Sequence, residues 1–127
     1  MGYCVEQMND FFVIKKENIS SALNALQKRA KQTAFDWVDS REVLNAPSFE
    51  DAMSECRWDI YYDSNGDVYG IAFNGEKLGS DFDIFETIAP YVEDGSFISM
   101  IGEDRYMFRW YFNNGELIEE EGFITWK

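Results

Sequence analysis

Phe11-Phe12-Val13-Ile14 is a short apolar run of the strand type, and directly after it Ile19, Ala22, Leu23, Leu26 and Ala30 recur at helical spacing. The spacing predicts a first helix over 17–31. Its other face carries Asn24, Gln27, Lys28 and Lys31, and basic residues in a last turn suit the negative end of a helix dipole. Residues 32–47 have no clear period, but Phe35, Trp37 and Val38 imply a surface crossing with its rings tucked inward, ended by Pro47. Ser48 then stands three before Asp51 as a capping pair, and Phe49, Ala52, Met53 and Cys56 form one apolar face of a second helix.

From Trp58 the period changes to two. Trp58, Ile60 and Tyr62 alternate with Asp59, Tyr61 and Asp63, Ser64-Asn65-Gly66 turns the chain, and Val68 to Phe73 returns it as a hairpin. Gly75 and Gly79 bracket a loop. Ser80, three before Asp83, starts a third helix with Phe82, Phe85 and Ala89 inward, and Pro90 closes or kinks it. The last third reads as a meander of Phe97 to Ile101, Arg105 to Phe112 and Leu117 to Trp126, turning at Gly102-Glu103-Asp104 and Asn113-Asn114-Gly115. On its middle strand Tyr106, Phe108, Trp110 and Phe112 face one way and Arg105, Met107, Arg109 and Tyr111 the other. The expected fold is α+β, with an antiparallel sheet of about five strands, a three-stranded C-terminal meander and about three helices on one face.

The chain has 127 residues, enough for one domain, 1–127. Its 24 acids against 11 bases give a net charge of −13, while 17% of its residues are aromatic, more than a disordered acidic tail contains. A folded body with an acidic coat follows. Its field attracts basic partners and repels nucleic acid, so a basic protein partner is expected and direct nucleic-acid binding is not. The charge is uneven: residues 1–31 hold five bases and three acids, and residues 32–127 hold 21 acids and six bases. No apolar stretch is long enough to span a bilayer and no signal-peptide layout opens the chain, so a cytoplasmic protein with no membrane contact is expected. Glu6 stands where a myristoylation signal needs Ser or Thr.

The absence of histidine removes Ser-His and Cys-His nucleophiles and His-ligated zinc. Cys4 and Cys56 are too few for a disulfide scaffold or a thiolate metal site, and Cys56 fits a helix face as a packed, inert thiol. Asp63-Ser64-Asn65-Gly66-Asp67 places acids like a calcium loop, but the required Gly falls at Val68 and the closing Glu at Asn74, so a hairpin turn is the better reading. Glycines 66, 70, 75 and 79 spell no phosphate loop. No catalytic, cofactor or metal residue is assigned. Carboxylate pairs are numerous, yet no spacing fixes a catalytic separation.

Glu119-Glu120-Glu121 lies in the last strand, and either register of the hairpin puts Arg109 opposite Glu119 or Glu120 as a cross-strand ion pair. Three acids facing at most two arginines leave surplus charge beside Glu103 and Asp104 on the neighbouring turn. Glu103, Asp104, Glu119, Glu120 and Glu121 are the candidate partner-binding residues. Tyr61, Tyr69, Tyr91 and Tyr111 are candidate aromatic anchors, a role in which Tyr is enriched.

FFVIKKEN (11–18), FDWVD (35–39), GEKLGSD (75–81), IAPYVEDGS (88–96) and GEDRYMFRW (102–110) span nearly the whole chain. In these segments it resembles a family of small acidic bacterial and phage-borne proteins with no assigned activity, and the resemblance implies a domain size and no site. The expected function is a non-enzymatic, acidic protein-binding domain. One form is a phage-type anti-defence inhibitor that mimics nucleic acid on the basic surface of a host defence protein. The alternatives are an immunity protein neutralising a basic toxin and a small enzyme using carboxylates or Cys4.

Overall fold

In a computed structural model, which describes residues 3–122, the described residues form six strands and four helices. They run β1 (Val5–Phe11), α1 (Lys16–Gln32), α2 (Ser40–Leu44), α3 (Phe49–Glu55), β2 (Trp58–Tyr62), β3 (Val68–Phe73), α4 (Asp81–Ile88), β4 (Phe97–Gly102), β5 (Met107–Asn113) and β6 (Glu116–Gly122). A 3-10 turn, Ala89–Tyr91, continues α4 through Pro90. The α+β class, the hairpin and the meander are as expected. The sheet differs in detail, since four strands in the order β1-β4-β5-β6 form one antiparallel sheet and β2-β3 a second. The stretch of the last predicted strand beyond Gly122 lies outside the described residues.

The first strand is Val5–Phe11, where the apolar run had placed it at 11–14. Phe12 and Ile14 are instead fully buried in the connection to α1. The strand is hard to read because Gln7 and Asp10, at positions opposite the buried Met100 and Ile98, are polar, and a bulge between Gln7 and Asn9 breaks the alternation. Both polar side chains have backbone partners across a seam. β3 runs antiparallel to β1, bridged to its flanks only at Cys4 with Lys77 and Ile14 with Val68. Between those bridges the Gln7 carboxamide donates to Ile71 O at 2.8 Å and accepts from Phe73 N at 2.6 Å. Asp10 Oδ2 accepts from Ile71 N at 3.3 Å. Burial raises the Asp10 carboxyl above the ordinary carboxylate range, opposed by the bonds from Ile71 and Gln7.

The helices follow their caps. Ser48 Oγ accepts from Asp51 N at 3.1 Å and starts α3 as expected. The unforeseen α2 is capped by Asp39, which accepts from Arg41 N at 3.0 Å, and it buries only Val43, too little to show a period. Ser80 does precede the helix it was expected to start, but its hydroxyl accepts from Asp36 N instead of capping. Phe35 is buried as expected, whereas Trp37 is 61% exposed with φ 62° and points out of the fold.

On the inner sheet face Ile98, Met100, Phe108, Trp110 and Phe112 are buried, and Phe85 of α4 presses into their centre. Its ring meets Trp58 at 4.9 Å, Trp110 at 5.3 Å, Phe12 at 6.1 Å and Phe112 at 6.2 Å. One aromatic cluster therefore joins both sheets. Among the described residues no helix is long and apolar enough to cross a membrane.

Gln7→Ala strands the Ile71 carbonyl and the Phe73 amide in a part-buried seam, and about 2 to 3 kcal/mol of stability should be lost in urea unfolding. A loss below about 0.5 kcal/mol would mean that water replaces the carboxamide without penalty.

Candidate protein-binding site at the acidic sheet edge

The β4–β5 turn and the edge strand β6 carry the five candidate acids, and Tyr106 ties the two groups together. The turn closes through Gly102 N to Tyr106 O at 2.8 Å and Arg105 N to Gly102 O at 2.9 Å, with Arg105 in the left-handed region at φ 71°. Asp104 Oδ1 accepts from Tyr106 N at 3.0 Å, and the Tyr106 hydroxyl donates to Glu121 Oε1 at 3.1 Å. Asp104 also accepts from the hydroxyl of Tyr3. The Tyr3 ring lies across Gly102, where a Cβ would overlap it, so a larger residue there would displace the exposed ring. Glu103 Oε1 accepts from Cys4 N at 2.9 Å.

On β6 the register settles the alternative left by the sequence: Arg109 pairs with Glu120, and its Nε reaches Glu120 Oε1 at 2.7 Å. Glu119 stands opposite Trp110 and accepts its indole N–H at 2.9 Å. The three glutamates thus straddle the edge, with Glu120 on the outer face and Glu119 and Glu121 on the face of Trp110 and Phe108.

All five acids accept a hydrogen bond, and four of them accept it from a neutral donor. An amide, a phenol or an indole orients a carboxylate without cancelling its charge, whereas a guanidinium would do both. Among the described residues only three ion pairs occur, Arg29 with Asp83, Arg57 with Asp81 and Arg109 with Glu120. Arg105, exposed on the same turn, takes part in none of them. The Asp104 carboxylate, receiving the Tyr3 hydroxyl and the Tyr106 amide, lies below its ordinary pKa, and the same hydroxyl contact pushes Tyr3 up to about 12. Tyr106 is raised as well, first by desolvation and then by Glu121.

Of the aromatic candidates, Tyr61 and Tyr69 are 47% and 55% exposed, while Tyr91 and Tyr111 are half-buried. Tyr61 and Tyr69 border an open cleft of about 530 Å³ at the β1–β3 seam. A smaller but more enclosed groove of about 310 Å³ lies over the outer sheet face, lined in part by Met8, Met107 and Glu120.

Sequence reasoning missed the buried acid of this fold. Asp81, 1% exposed, accepts from Trp58 Nε1 at 2.7 Å and Gly79 N at 2.7 Å, with Arg57 Nη2 3.7 Å away. That side chain heads α4, where its charge also meets the positive helix end. An aspartate immediately before Phe82 looks like a solvated first-turn acid, and only the remote Trp58 reveals its burial. Cys56 is fully buried, and its thiol is pushed up to about 12, chiefly by burial and then by Asp81, which fits an inert thiol. The Asp63–Asp67 loop is a hairpin turn, with Asp63 Oδ1 accepting from Asn65 N and Asp67 N at 2.9 and 3.0 Å. Among the described residues no three His, Cys, Asp or Glu side chains are grouped to hold a metal ion.

Tyr3 should keep its proton until about pH 12, and Asp104→Asn should bring its titration back toward the ordinary phenol range, read by ultraviolet difference titration of the two proteins. The phenol is raised in the folded state, so its stabilising contact is complete below pH ~10 and is lost as pH rises toward 12. Superimposable titrations of the two proteins would show that the contact does not form in solution. No protein-family model, no curated protein and no solved structure matches the chain.

Proposed function

We propose that this protein is a non-enzymatic binding domain whose acidic edge docks on a basic protein surface, in the place where that surface otherwise receives nucleic-acid phosphates. One observation carries the reading: Glu103, Asp104, Glu119 and Glu121 are each oriented by a neutral donor, and among the described residues none of them is in an ion pair, so the edge holds fixed carboxylates. Fixed anions cost little ordering on binding, and they present a field of constant shape. The net charge of −13 extends that field and steers basic partners from a distance. The compartment proposed with it is the cytoplasm, where Cys4 and Cys56 remain the free thiols they are in the fold.

The test keeps the fold and removes the charge. Replacing Glu103, Glu119, Glu120 and Glu121 with Gln and Asp104 with Asn preserves a carboxamide oxygen for each donor. The wild-type chain, immobilised, should retain a basic nucleic-acid-handling protein from native lysate at low salt, release it as salt shortens the screening length from ~10 Å at 0.1 M to ~3 Å at 1 M, and lose it to added duplex DNA. The neutralised variant should associate with that protein at least tenfold more slowly. Equal association rates at low salt would end this reading.

A further inference from the structure

The four-stranded sheet ends on β1, whose far side faces β3 across the Gln7 seam, and on β6, while β2 is the outer strand of the two-stranded sheet. β2 is five residues long and α3 packs against it. β6 is seven residues long and contains no proline, no lysine and no bulge in its pairing, and among the described residues no strand pairs with its outer side. The ladder fixes which of its backbone groups are free. Gly102 N bonds Tyr106 O and Phe112 N bonds Ser96 O, so on β5 the even-numbered residues turn their peptide groups to β4 and the odd-numbered ones to β6. Tyr111 and Arg109 pair with Ile118 and Glu120, which places the N–H and C=O groups of Leu117, Glu119 and Glu121 on the open side. Successive open positions lie roughly 7 Å apart, the repeat of a strand template.

Side chains decide what such a template accepts. Glu116, Glu119, Glu120 and Glu121 line it on both faces, so a second copy laid edge to edge would set glutamate against glutamate. A cationic strand meets the opposite condition. Leu117 and Ile118, the latter 41% exposed, add an apolar step at the other end of the same edge.

We propose that β6 is a site of strand addition, and that its occupant is an extended basic segment of a partner protein, pairing antiparallel as a further strand of the four-stranded sheet. The proposal rests on the acidic-docking reading and names the form of the contact. Antiparallel pairing gives the segment a pattern: basic residues opposite Glu121, Glu120 and Glu119, followed by apolar residues opposite Ile118 and Leu117. Backbone bonds supply the contact and the charges select the sequence.

A capped peptide containing Lys-Arg-Lys-Val-Val tests this in two N-methylated forms. Methyl groups on its first, third and fifth amides block the groups that face Glu121, Glu119 and Leu117, whereas methyl groups on the second and fourth point away from β6. The first form should bind at least tenfold more weakly than the second. In hydrogen exchange followed by NMR, the unmethylated peptide should slow the amides of Leu117, Glu119 and Glu121 at least tenfold while leaving Ile118 and Glu120, already bonded to β5, nearly unchanged. Equal binding of the two methylated forms, or binding without that protection, overturns strand addition and leaves charge-driven docking in place. Failure of the peptide to bind also overturns strand addition, while the docking reading is judged separately by the neutralised variant.

Discussion

Gln7 does with one side chain what a peptide group does elsewhere in a sheet, offering a donor to Ile71 and an acceptor to Phe73 across a gap that the backbone does not bridge. A carboxamide at the end of a two-carbon stem reaches farther than a main-chain amide, so β1 and β3 can run side by side without a continuous ladder. The bulge beside Gln7 gives β1 the local kink this requires. The two sheets can then close around α4, with Trp58 from one and Trp110 from the other meeting the same Phe85 ring. The aromatic centre depends on the two sheets meeting as they do, and the Gln7 seam is where they meet.

Aromatic residues serve this chain twice. Their faces fill the interior, and their polar atoms hold the acids: Trp58 with Asp81, Trp110 with Glu119, Tyr106 with Glu121 and Tyr3 with Asp104. A protein with 11 bases and no histidine has few cations for its 24 carboxylates, and indole and phenol donors fix geometry in their place. The interior of the fold and the charge on its surface are therefore coupled at Trp110, a core ring that also aims Glu119, while the exposed Tyr3 and Tyr106 aim Asp104 and Glu121 from the surface. Asp81 marks the buried limit of that scheme, where the burden of lost hydration calls for Arg57 in addition.

Most of the architecture was legible wherever one face of an element is apolar and the other polar. The first helix, the Ser48 cap, the Asn65-Gly66 hairpin and the alternating β5 satisfy that condition. β1 does not, because the side chains that face the seam are polar and bonded to backbone, which in a sequence looks like solvent exposure. α2 is too short to repeat, and Trp37 points outward because residues 35 and 38 already supply the packing. At the candidate site the Arg109 pairing was readable to within one residue from the turn. The bonds from Cys4, Tyr3 and Tyr106 were not, since two of those donors lie about a hundred positions from their acceptors.

β1 is built early in the chain and finds its backbone ladder late. Val5 pairs with Gly102 and Phe11 with Phe97, so the strand has no ladder partner until β4 exists, and only the isolated bridges and side-chain bonds of the seam reach it from the hairpin side. Along the chain, α1, α3 and the β2–β3 hairpin have their local contacts at hand, whereas β1 takes its place beside β4 only by closing a long loop. Closing a loop of that length carries an entropic cost that the local elements do not meet, and a topology dominated by such pairings slows folding.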